Sequence, residues 1–433
     1  MNENYNIFIN KKILIYGLGK SGISVFNFLK KYNSILLFDD NKKIKINKAS
    51  NHIIKSPNKI QKSEFDIIIL SPGININNCK LKKFLKKNSK IIYTDLDVFH
   101  SFYNNQCITI TGTNGKSTTC QLLYEVLKKH GFDVKLAGNI GYPILNVKNI
   151  NPRSIFVIEA SSYQLDYSKL FNSKYAAILN ISADHLERHK TLKKYTSVKF
   201  KIIKNQKKDS IAFINKYDSI INKRIKKKDY KSKIVKVNTK LSDKYLSIFK
   251  NNYFLSSSNR ENLSFVLEIS KKLKIKKDIL IDVIRKFKGL KYRQQIIFDN
   301  KNISIINDSK STSYSSSLEI LKKSNNIYWL LGGIPKKGDK LNLTEFYYKN
   351  IKGFIFGKNY KKFSLDLKNK IKFKKYSNLK EALKGVFKDI KKDSSIKKTI
   401  LFSPAAASFD SFINFEDRGL YFNKLIKRYI NVR

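Results

Sequence analysis

The sequence predicts an α/β fold made of three successive doubly wound, mostly parallel sheets. Short apolar runs recur along the chain and stop abruptly at glycine or polar residues: Ile13–Tyr16 at Gly17, Asp66–Leu70 at Ser71-Pro72-Gly73, Ile327–Leu331 at Gly332-Gly333. Segments of helical period follow these runs, as the crossovers between parallel strands require. The glycine and polar clusters sit at strand ends, so each sheet has one working edge, where open sheets bind their ligands. No internal repeat and no low-complexity linker interrupts the pattern.

The first block, residues 1–98, begins with KILIYGLGKSG over 12–22. A strand, Ile13 to Tyr16, runs into Gly17, Gly19 and Gly22 and then into a helix near Ser21 to Lys31. A second strand, Ile35 to Phe38, ends on Asp39 and Asp40. Glycines in the Gly-x-Gly-x-x-Gly form, with an acidic residue about twenty positions on, suit a nucleotide-type ligand; they equally suit a tight helix–strand packing turn. Asp66 to Leu70 supplies a third strand.

The second block, residues 99–289, carries the most informative stretch, QCITITGTNGKSTT over 106–119. Cys107 to Ile110 alternate as a short buried strand does, Thr111 to Gly115 cannot continue it, and a helix opens at Lys116 and closes on a glycine. Unpaired N–H groups and the positive end of a helix dipole then face one small volume, which is an anion site. Gly112, Thr113, Asn114, Gly115 and Thr118 would wrap phosphates, Lys116 would place a charge on the outer ones, and Ser117 would put a hydroxyl where Mg²⁺ sits. Ile110 stands where the usual phosphate loop has its first glycine, so this is a shorter variant. Strand Ser154 to Ile158 ends at Glu159, and Tyr175 to Ile181 empties into SADHLERH. Glu159 and His185, one at each strand end beside the loop, are therefore candidate metal ligands. Further strands are expected around Ser210–Ile214 and Lys233–Val237, with helices near Glu261–Lys272 and Asp278–Phe287. Gly289 marks the boundary.

The third block, residues 290–433, is expected to hold strands Ile303–Ile306, Ile327–Leu331, Gly353–Phe356 and Thr399–Phe402. They empty into NDSKSTS, GGIPKKGDK, Gly357 and SPAAASFDSFINF.

Composition narrows the class. Hydrophobic residues make up 42% of the 433, enough for packed cores. No apolar run reaches the length of a membrane span, and the N-terminus lacks the order of a secretion signal. Three cysteines, Cys79, Cys107 and Cys120, show no paired metal spacing, and a reducing cytoplasm is expected. Lys and Arg number 87 against 33 Asp and Glu, a formal +54. A nucleotide-gated protein acting on nucleic acid is one reading of that charge. The lysines, however, are spread along the chain together with excess Asn and Ile, which share A/T-rich codons, so drift in base composition accounts for them. No nucleic-acid and no membrane partner is expected.

The ordered motifs GLGKSG, SPGI, GTNGKST, EASSYQLD, NISADHLERH, GLKYR, NDSKST, GGIPKKGD and SPAAASFDSFINFEDRG cover almost the whole chain. Together they resemble the Mur ligase superfamily, and GLGKSG with SPGI, and the C-terminal SPAAASFDSF, resemble its D-glutamate-adding family. The resemblance implies a Rossmann-like UDP-substrate domain, a P-loop central ATPase domain and a mobile, Rossmann-like C-terminal domain for the amino acid, closing about Gly289 to Arg293. It implies a cytoplasmic bacterial enzyme, probing no partner but small molecules and acting as a monomer, in peptidoglycan synthesis and hence cell shape and division. The implied reaction is ATP-dependent: the carboxylate of UDP-N-acetylmuramoyl-L-alanine takes the γ-phosphate, and D-glutamate displaces phosphate from the acyl phosphate. Another Mur-type or a folylpolyglutamate-type ligase is the alternative, although the latter lacks a separate UDP-substrate domain.

By the same resemblance Ser117 and Glu159 would hold one Mg²⁺ and His185 a second, and Lys199 would be a carbamate that serves as an anionic ligand. Asn259 and Asn262 would face the adenine, Arg293 the phosphates and Asp308 the ribose. Gly138 and Asn139 would lie near the reacting phosphate and the sugar. Lys310, Thr312, Lys336, Ser408 and Phe415 would shape the D-glutamate pocket, with Lys310 taking part in catalysis beside Lys116, His185 and Lys199. Lys20, Ser21, Asp40, Asn41, Ser71, Pro72 and Gly73 would hold the uridine diphosphate. Asn41, Ser258 and Ser313 stand where the family often has arginine, histidine and asparagine, and Lys336 and Lys337 compete for one role.

Overall fold

The computed structural model describes residues 6–41, 52–53, 56–336, 338–394 and 397–430, without the side chains of 244, 246, 252 and 255. The chain forms two compact units, Met1–Phe287 and Lys288–Arg433. Among the described residues no helix is long and apolar enough to cross a membrane.

The first unit contains two sheets. Strands β1 (Lys12–Tyr16), β2 (Ser34–Phe38), β3 (Ile67–Leu70) and β4 (Ile92–Tyr93) pair in the order β2-β1-β3-β4, all parallel. Strand β4 has only two residues, too short to show a pattern. The helix Asp95–Phe102 then carries the chain from the first sheet toward the second. Its Asp97 is fully buried; one carboxylate oxygen accepts from Thr94 N at 2.9 Å, and the other accepts from the Lys169, Leu170 and Phe171 amides and the Ser168 hydroxyl. One apolar cluster runs from Ile13 and Ile15 through Leu96 and Phe99 to Phe156 and Ile158. Each such buried side chain contributes about 1.5–3 kcal/mol, so the two sheets are held as one body.

The second sheet comprises β5 (Cys107–Thr111), β6 (Val134–Gly138), β7 (Ile155–Glu159), β8 (Tyr175–Ile178), β9 (Ile211–Asn215) and β10 (Lys233–Val237), in the order β10-β9-β8-β5-β7-β6. All neighbours are parallel. All five residues of β5 are buried, since helices cover both faces of a parallel sheet. The chain leaves β5 on one side to build β6 and β7, then returns to its other side for β8. That reversal puts the crevice at the carboxyl end of β5. Strand β6, VKLAG, has no apolar run and was not expected from the sequence.

The second unit contains β11 (Gln295–Asp299), β12 (Ile303–Asn307), β13 (Ile327–Leu331), β14 (Ile351–Phe356), β15 (Lys372–Tyr376) and β16 (Lys398–Phe402). Their order is β11-β12-β16-β13-β14-β15; β11 is antiparallel to β12 and every other pair is parallel. The four expected strands form the centre. The two additional ones are the edges, half exposed, and β15 carries three lysines in five residues, as an edge protected against further pairing does.

Candidate active site

The loop after β5 closes over its own backbone. Gly115 has φ of +83°, and a Cβ there would come within 2.0 Å of Asn262 Oδ1. Only glycine can both turn the chain and leave room for Asn262. The helix Lys116–Lys129 starts directly after it, with Ser117, Thr118 and Thr119 buried in its first turn. The loop is pinned to the exit of β8: Thr113 N donates to Asn180 O at 2.9 Å and Asn114 N to Asn180 Oδ1 at 2.8 Å. Lys116 Nζ lies across the loop, donating to Gly112 O at 2.9 Å and Thr113 O at 2.7 Å.

Strand β7 delivers Glu159 to this point. Ser117 Oγ donates to Glu159 Oε2 at 2.6 Å, and Asn139 Nδ2 donates to Oε1 at 2.8 Å. Gly138 has φ of +102°, and a Cβ on it would sit 2.4 Å from Glu159 O, so the chain at the end of β6 can pass this close only as glycine. A hydroxyl and a carboxylate oxygen in contact at a helix N-terminus are hard donors suited to Mg²⁺.

Lys199, at the end of the helix Leu192–Lys199, is 1% exposed. Its Nζ donates to Gly112 O at 2.7 Å and stands 4.7 Å from the centre of the Tyr195 ring. Burial pushes its pKa well below the usual lysine value, and the Lys116 charge pushes it the same way against Asp184 and Glu159. The low-dielectric surroundings thus disfavour the charged ammonium relative to a lysine in water. Composition alone gave this lysine no distinction; burial does.

His185 starts the short helix Leu186–His189 with φ of +53°. Its Nδ1 is 2.9 Å from Tyr163 Oη and 3.4 Å from Glu187 Oε1, and its Nε2 is 3.2 Å from Asp184 Oδ2. Three residues on, the buried Arg188 donates from Nη1 to Pro72 O at 2.9 Å, linking this segment to the loop after β3.

That loop and the loop after β1 form the working edge of the first sheet. Ser71 Oγ donates to Gly17 O at 2.5 Å, and a Cβ on Gly22 would be 1.9 Å from the same carbonyl. Gly17 and Gly22 therefore serve tight packing here, whereas a Cβ on Gly19 would meet nothing within 4 Å. The acidic pair divides its work: Asp39 Oδ2 accepts from Leu18 N at 2.7 Å, whereas Asp40 Oδ1 accepts from Tyr16 Oη at 2.7 Å. Asn41 N donates to Asp39 Oδ1 at 2.8 Å. Lys20 and Gly73 are exposed, and Pro72 is half-buried. Ser21 and Gln164 hydrogen-bond to Asp95, whose carboxyl burial raises to about 6.

Residues 110–280 match the Mur ligase middle domain, and residues 11–93 match the N-terminal domain of MurD-like Mur ligases. The UDP-N-acetylmuramoylalanine--D-glutamate ligase of Rickettsia prowazekii (strain Madrid E) is 35% identical over 445 residues, covering 98% of this chain and 99% of the relative. The chain belongs to the Mur ligase family, in its D-glutamate ligase branch. The ligase of the same description from Buchnera aphidicola subsp. Schizaphis graminum is 36% identical, over 98% of this chain and 99% of that one. In fold, this Mur ligase is similar to the MurF ligase of Thermotoga maritima solved in complex with ADP, with a TM-score of 0.57 at 13% identity, over 99% of this chain and 100% of that one. It is also similar to the UDP-N-acetylmuramate-alanine ligase MurC of Thermotoga maritima, with a TM-score of 0.54 at 16% identity, over 98% and 100%.

In the second unit of this Mur ligase the motif residues gather at the reversal between β12 and β16. Asp308, following β12, accepts from Gln294 N at 3.1 Å and from Ser403 Oγ at 2.9 Å. Burial raises its carboxyl to about 7. Lys310 Nζ stands 3.8 Å over the Phe415 ring, and Lys310 N donates to Tyr292 O at 3.0 Å. Arg293, Thr312 and Lys336 are half-buried and Ser408 is buried. Lys337 lies outside the described residues. Ser313, standing where an asparagine was expected, precedes the helix Tyr314–Lys323 and donates from its N–H to Ser316 Oγ at 3.3 Å.

Asn262 meets the loop at Gly115, while Asn259 Nδ2 is engaged with Tyr253 O at 2.8 Å. Sequence reasoning missed Tyr163, Asn180, Arg188 and Arg418. All four lie inside quoted motifs, but only spatial contact distinguishes them from their neighbours. Arg418 is 1% exposed and donates to Ser309 O and Ala406 O at 2.7 and 3.0 Å, bracing the loops after β12 and β16.

Proposed function

We propose that this Mur ligase joins D-glutamate to UDP-N-acetylmuramoyl-L-alanine at the expense of ATP, as a cytoplasmic monomer acting on small molecules. The reading rests on one observation: a phosphate loop backed by Ser117, Glu159 and a buried Lys199, in a chain that is 35% identical along 98% of its length to D-glutamate ligases.

In the first step the alanyl carboxylate oxygen attacks the γ-phosphorus, the bond from phosphorus to the bridging oxygen breaks, and ADP leaves. In the second the D-glutamate amine attacks the acyl carbon, an amide forms, and phosphate leaves with the amine shedding a proton. Two anions meet in the first step, so cancelling charge is the main demand on the site. Lys116 answers it from across the loop, and the Gly115–Lys116 helix start directs its N–H groups to the phosphates. Ser117 and Glu159 would hold Mg²⁺, with His185 toward a second ion; bound there, Mg²⁺ neutralises charge on the phosphates.

The buried amine of Lys199 is assigned as the carbamate. Its lone pair attacks CO₂, an N–C bond forms, and nitrogen releases one proton, leaving an anion at a place where an ammonium would repel the ion. The assignments of Arg293 and Asp308 to ATP, of Lys310, Thr312, Lys336, Ser408 and Phe415 to D-glutamate, and of Lys20, Ser21, Asp40, Asn41, Ser71, Pro72 and Gly73 to the uridine diphosphate rest on their motifs. So does the division into domains 1–98, 99–289 and 290–433.

Phosphate release with ATP and UDP-N-acetylmuramoyl-L-alanine tests the function. Release that requires D-glutamate and is not supported by L-glutamate is the expected outcome. Release with neither amino acid, or equally with both, would overturn it.

A further inference from the structure

Strands β12 and β16 are parallel neighbours with Asn307 opposite Phe402, so the residues that follow them, Asp308 and Ser403, leave the sheet side by side. Ser403 Oγ stands 2.9 Å from Asp308 Oδ2 and 2.7 Å from Ser317 Oγ, which belongs to the helix Tyr314–Lys323. From Ser317 the hydroxyls continue to Ser311 Oγ at 2.8 Å and on to Ser316 Oγ at 2.8 Å. The path ends where Ser316 Oγ meets the carbonyl oxygen of Ser313 at 2.7 Å. Asp308, Ser311, Ser317 and Ser403 are all buried, and Trp329 Nε1 holds Ser403 O at 2.7 Å.

Each of these five contacts needs one hydrogen, and the four serine hydroxyls bring four. With Asp308 ionised, Ser403 donates to the carboxylate, Ser317 to Ser403, Ser311 to Ser317 and Ser316 to Ser311. Nothing is then left for the Ser313 carbonyl. With a proton on Oδ2 the whole run reverses: Asp308 donates to Ser403 and each serine to the next, until Ser316 donates to Ser313 O. Every contact is served. The longer contacts of Ser313 to Ser311 and Ser316, at 3.3 Å, add no hydrogen to the path. Arg293 and Arg418, the latter beside Asp410, favour the ionised carboxylate, as does Gln294 N on Oδ1; burial outweighs them.

The path anchors a loop. Ser311 lies between Lys310 and Thr312, and Ser309 Oγ accepts from Arg418 Nε at 3.1 Å. Alternate residues thus tie down the turn from which Lys310 reaches over the Phe415 ring.

We propose that Ser403, Ser317 and Ser311 are positioning residues for the amino-acid substrate. Their hydroxyl chain, completed by the carboxyl hydrogen of Asp308, locks the loop that carries Lys310 and Thr312. That Lys310 and Thr312 meet D-glutamate rests on the proposed function; the hydrogen arrangement does not.

Cutting the chain changes the demand for hydrogens. Without the Ser317 hydroxyl, three contacts remain for three serine hydrogens, and Ser403 can donate to the carboxylate at no loss elsewhere. The test is an NMR titration of the full-length chain labelled with ¹³C at its aspartate carboxyls, with Asp308 assigned by Asp308→Asn. In the unaltered protein Asp308 should titrate at about pH 7. In Ser317→Ala the midpoint should fall by about one pH unit, the tenfold effect of a hydrogen bond gained by a charged group. Ser311→Ala cuts the chain one link further on and should give the same fall. Ser317→Thr, which keeps the hydroxyl, should restore the midpoint. An ordinary carboxylate midpoint in the unaltered protein, or a midpoint unmoved in either alanine variant, would overturn the hydrogen arrangement.

In turnover below the Asp308 midpoint, Ser317→Ala should raise KM for D-glutamate about fivefold, the scale of one net hydrogen bond, with KM for the UDP substrate held. Ser317→Thr should bring it back. An unchanged KM for D-glutamate, or an equal rise in that for the UDP substrate, would overturn the positioning role. If the unaltered chain released no phosphate at all, the ligase reading would fail while the titration still decided the hydrogen arrangement.

Discussion

Ser117 Oγ and Glu159 Oε2 are hydrogen-bonded at 2.6 Å although 42 residues separate them. The contact exists because β5 and β7 are adjacent parallel strands that end level, with Ile110 opposite Glu159. It brings a helix N-terminus, a hydroxyl and a carboxylate to one point, on which the proposed chemistry depends. Glu159→Gln keeps the shape and removes the charge. It should lower kcat at least tenfold at saturating ATP while leaving the thermal midpoint within a few degrees, as steady-state kinetics and a melting curve on the same preparation would show.

Lys116 spans the loop through Gly112 O and Thr113 O. Lys116→Ala removes the charge that offsets the meeting of two anions, and a loss of about 10²–10³ in kcat is expected by analogy with other preorganised donors. Full-rate product formation by that variant, followed by chromatography of the nucleotide product, would contradict the proposed mechanism.

Lys199→Ala should abolish most phosphate release. If the side chain acts as a carbamate, short carboxylic acids should restore part of the rate, because they return an anion to the cavity. Mass spectrometry after trapping should find the added CO₂ on Lys199 in the unaltered protein. Loss without rescue would leave the buried lysine as a structural contact to Gly112.

Gly115→Ala combines two penalties. A non-glycine residue at φ of +83° costs about 1–2 kcal/mol, and the new methyl would have to displace Asn262 Oδ1 from 2.0 Å. Weaker ATP binding by calorimetry and a lowered melting midpoint should appear together. Gly131→Ala, at φ of +100° with nothing within 4 Å, should show the conformational penalty alone.

Asp308 gives a pH dependence with a defined sign. Burial raises its carboxyl to about 7, against about 3.9 in an unfolded chain. Between those values the folded state holds the proton and the unfolded state has lost it, so this group's contribution is fully present below about pH 4 and is lost as pH rises to about 7. Asp308→Asn mimics the protonated form, and its denaturation midpoint should fall less than that of the unaltered protein between pH 5 and pH 8. Equal slopes would show that Asp308 is ionised throughout.

Local pattern was enough to read the class of fold, the glycine loop and its lysine, and the central strand of each sheet, because apolar runs, glycine turns and helix starts are set by neighbours in the chain. Edge strands such as β15 escaped that reading, since a lysine-rich strand open to solvent on its faces carries no apolar run. Family motifs, rather than pattern, singled out Lys199 and Asp308. Only the tertiary structure showed that Lys199 is sealed against Gly112, that Gly115 must yield space to Asn262, that Asp39 braces the loop after β1 while Asp40 meets Tyr16 and Lys80, and that Tyr163 and Arg188 join two motifs. Desolvation, close approach and hydrogen-bond direction are properties of groups distant in sequence, and they come into being when the strands pair.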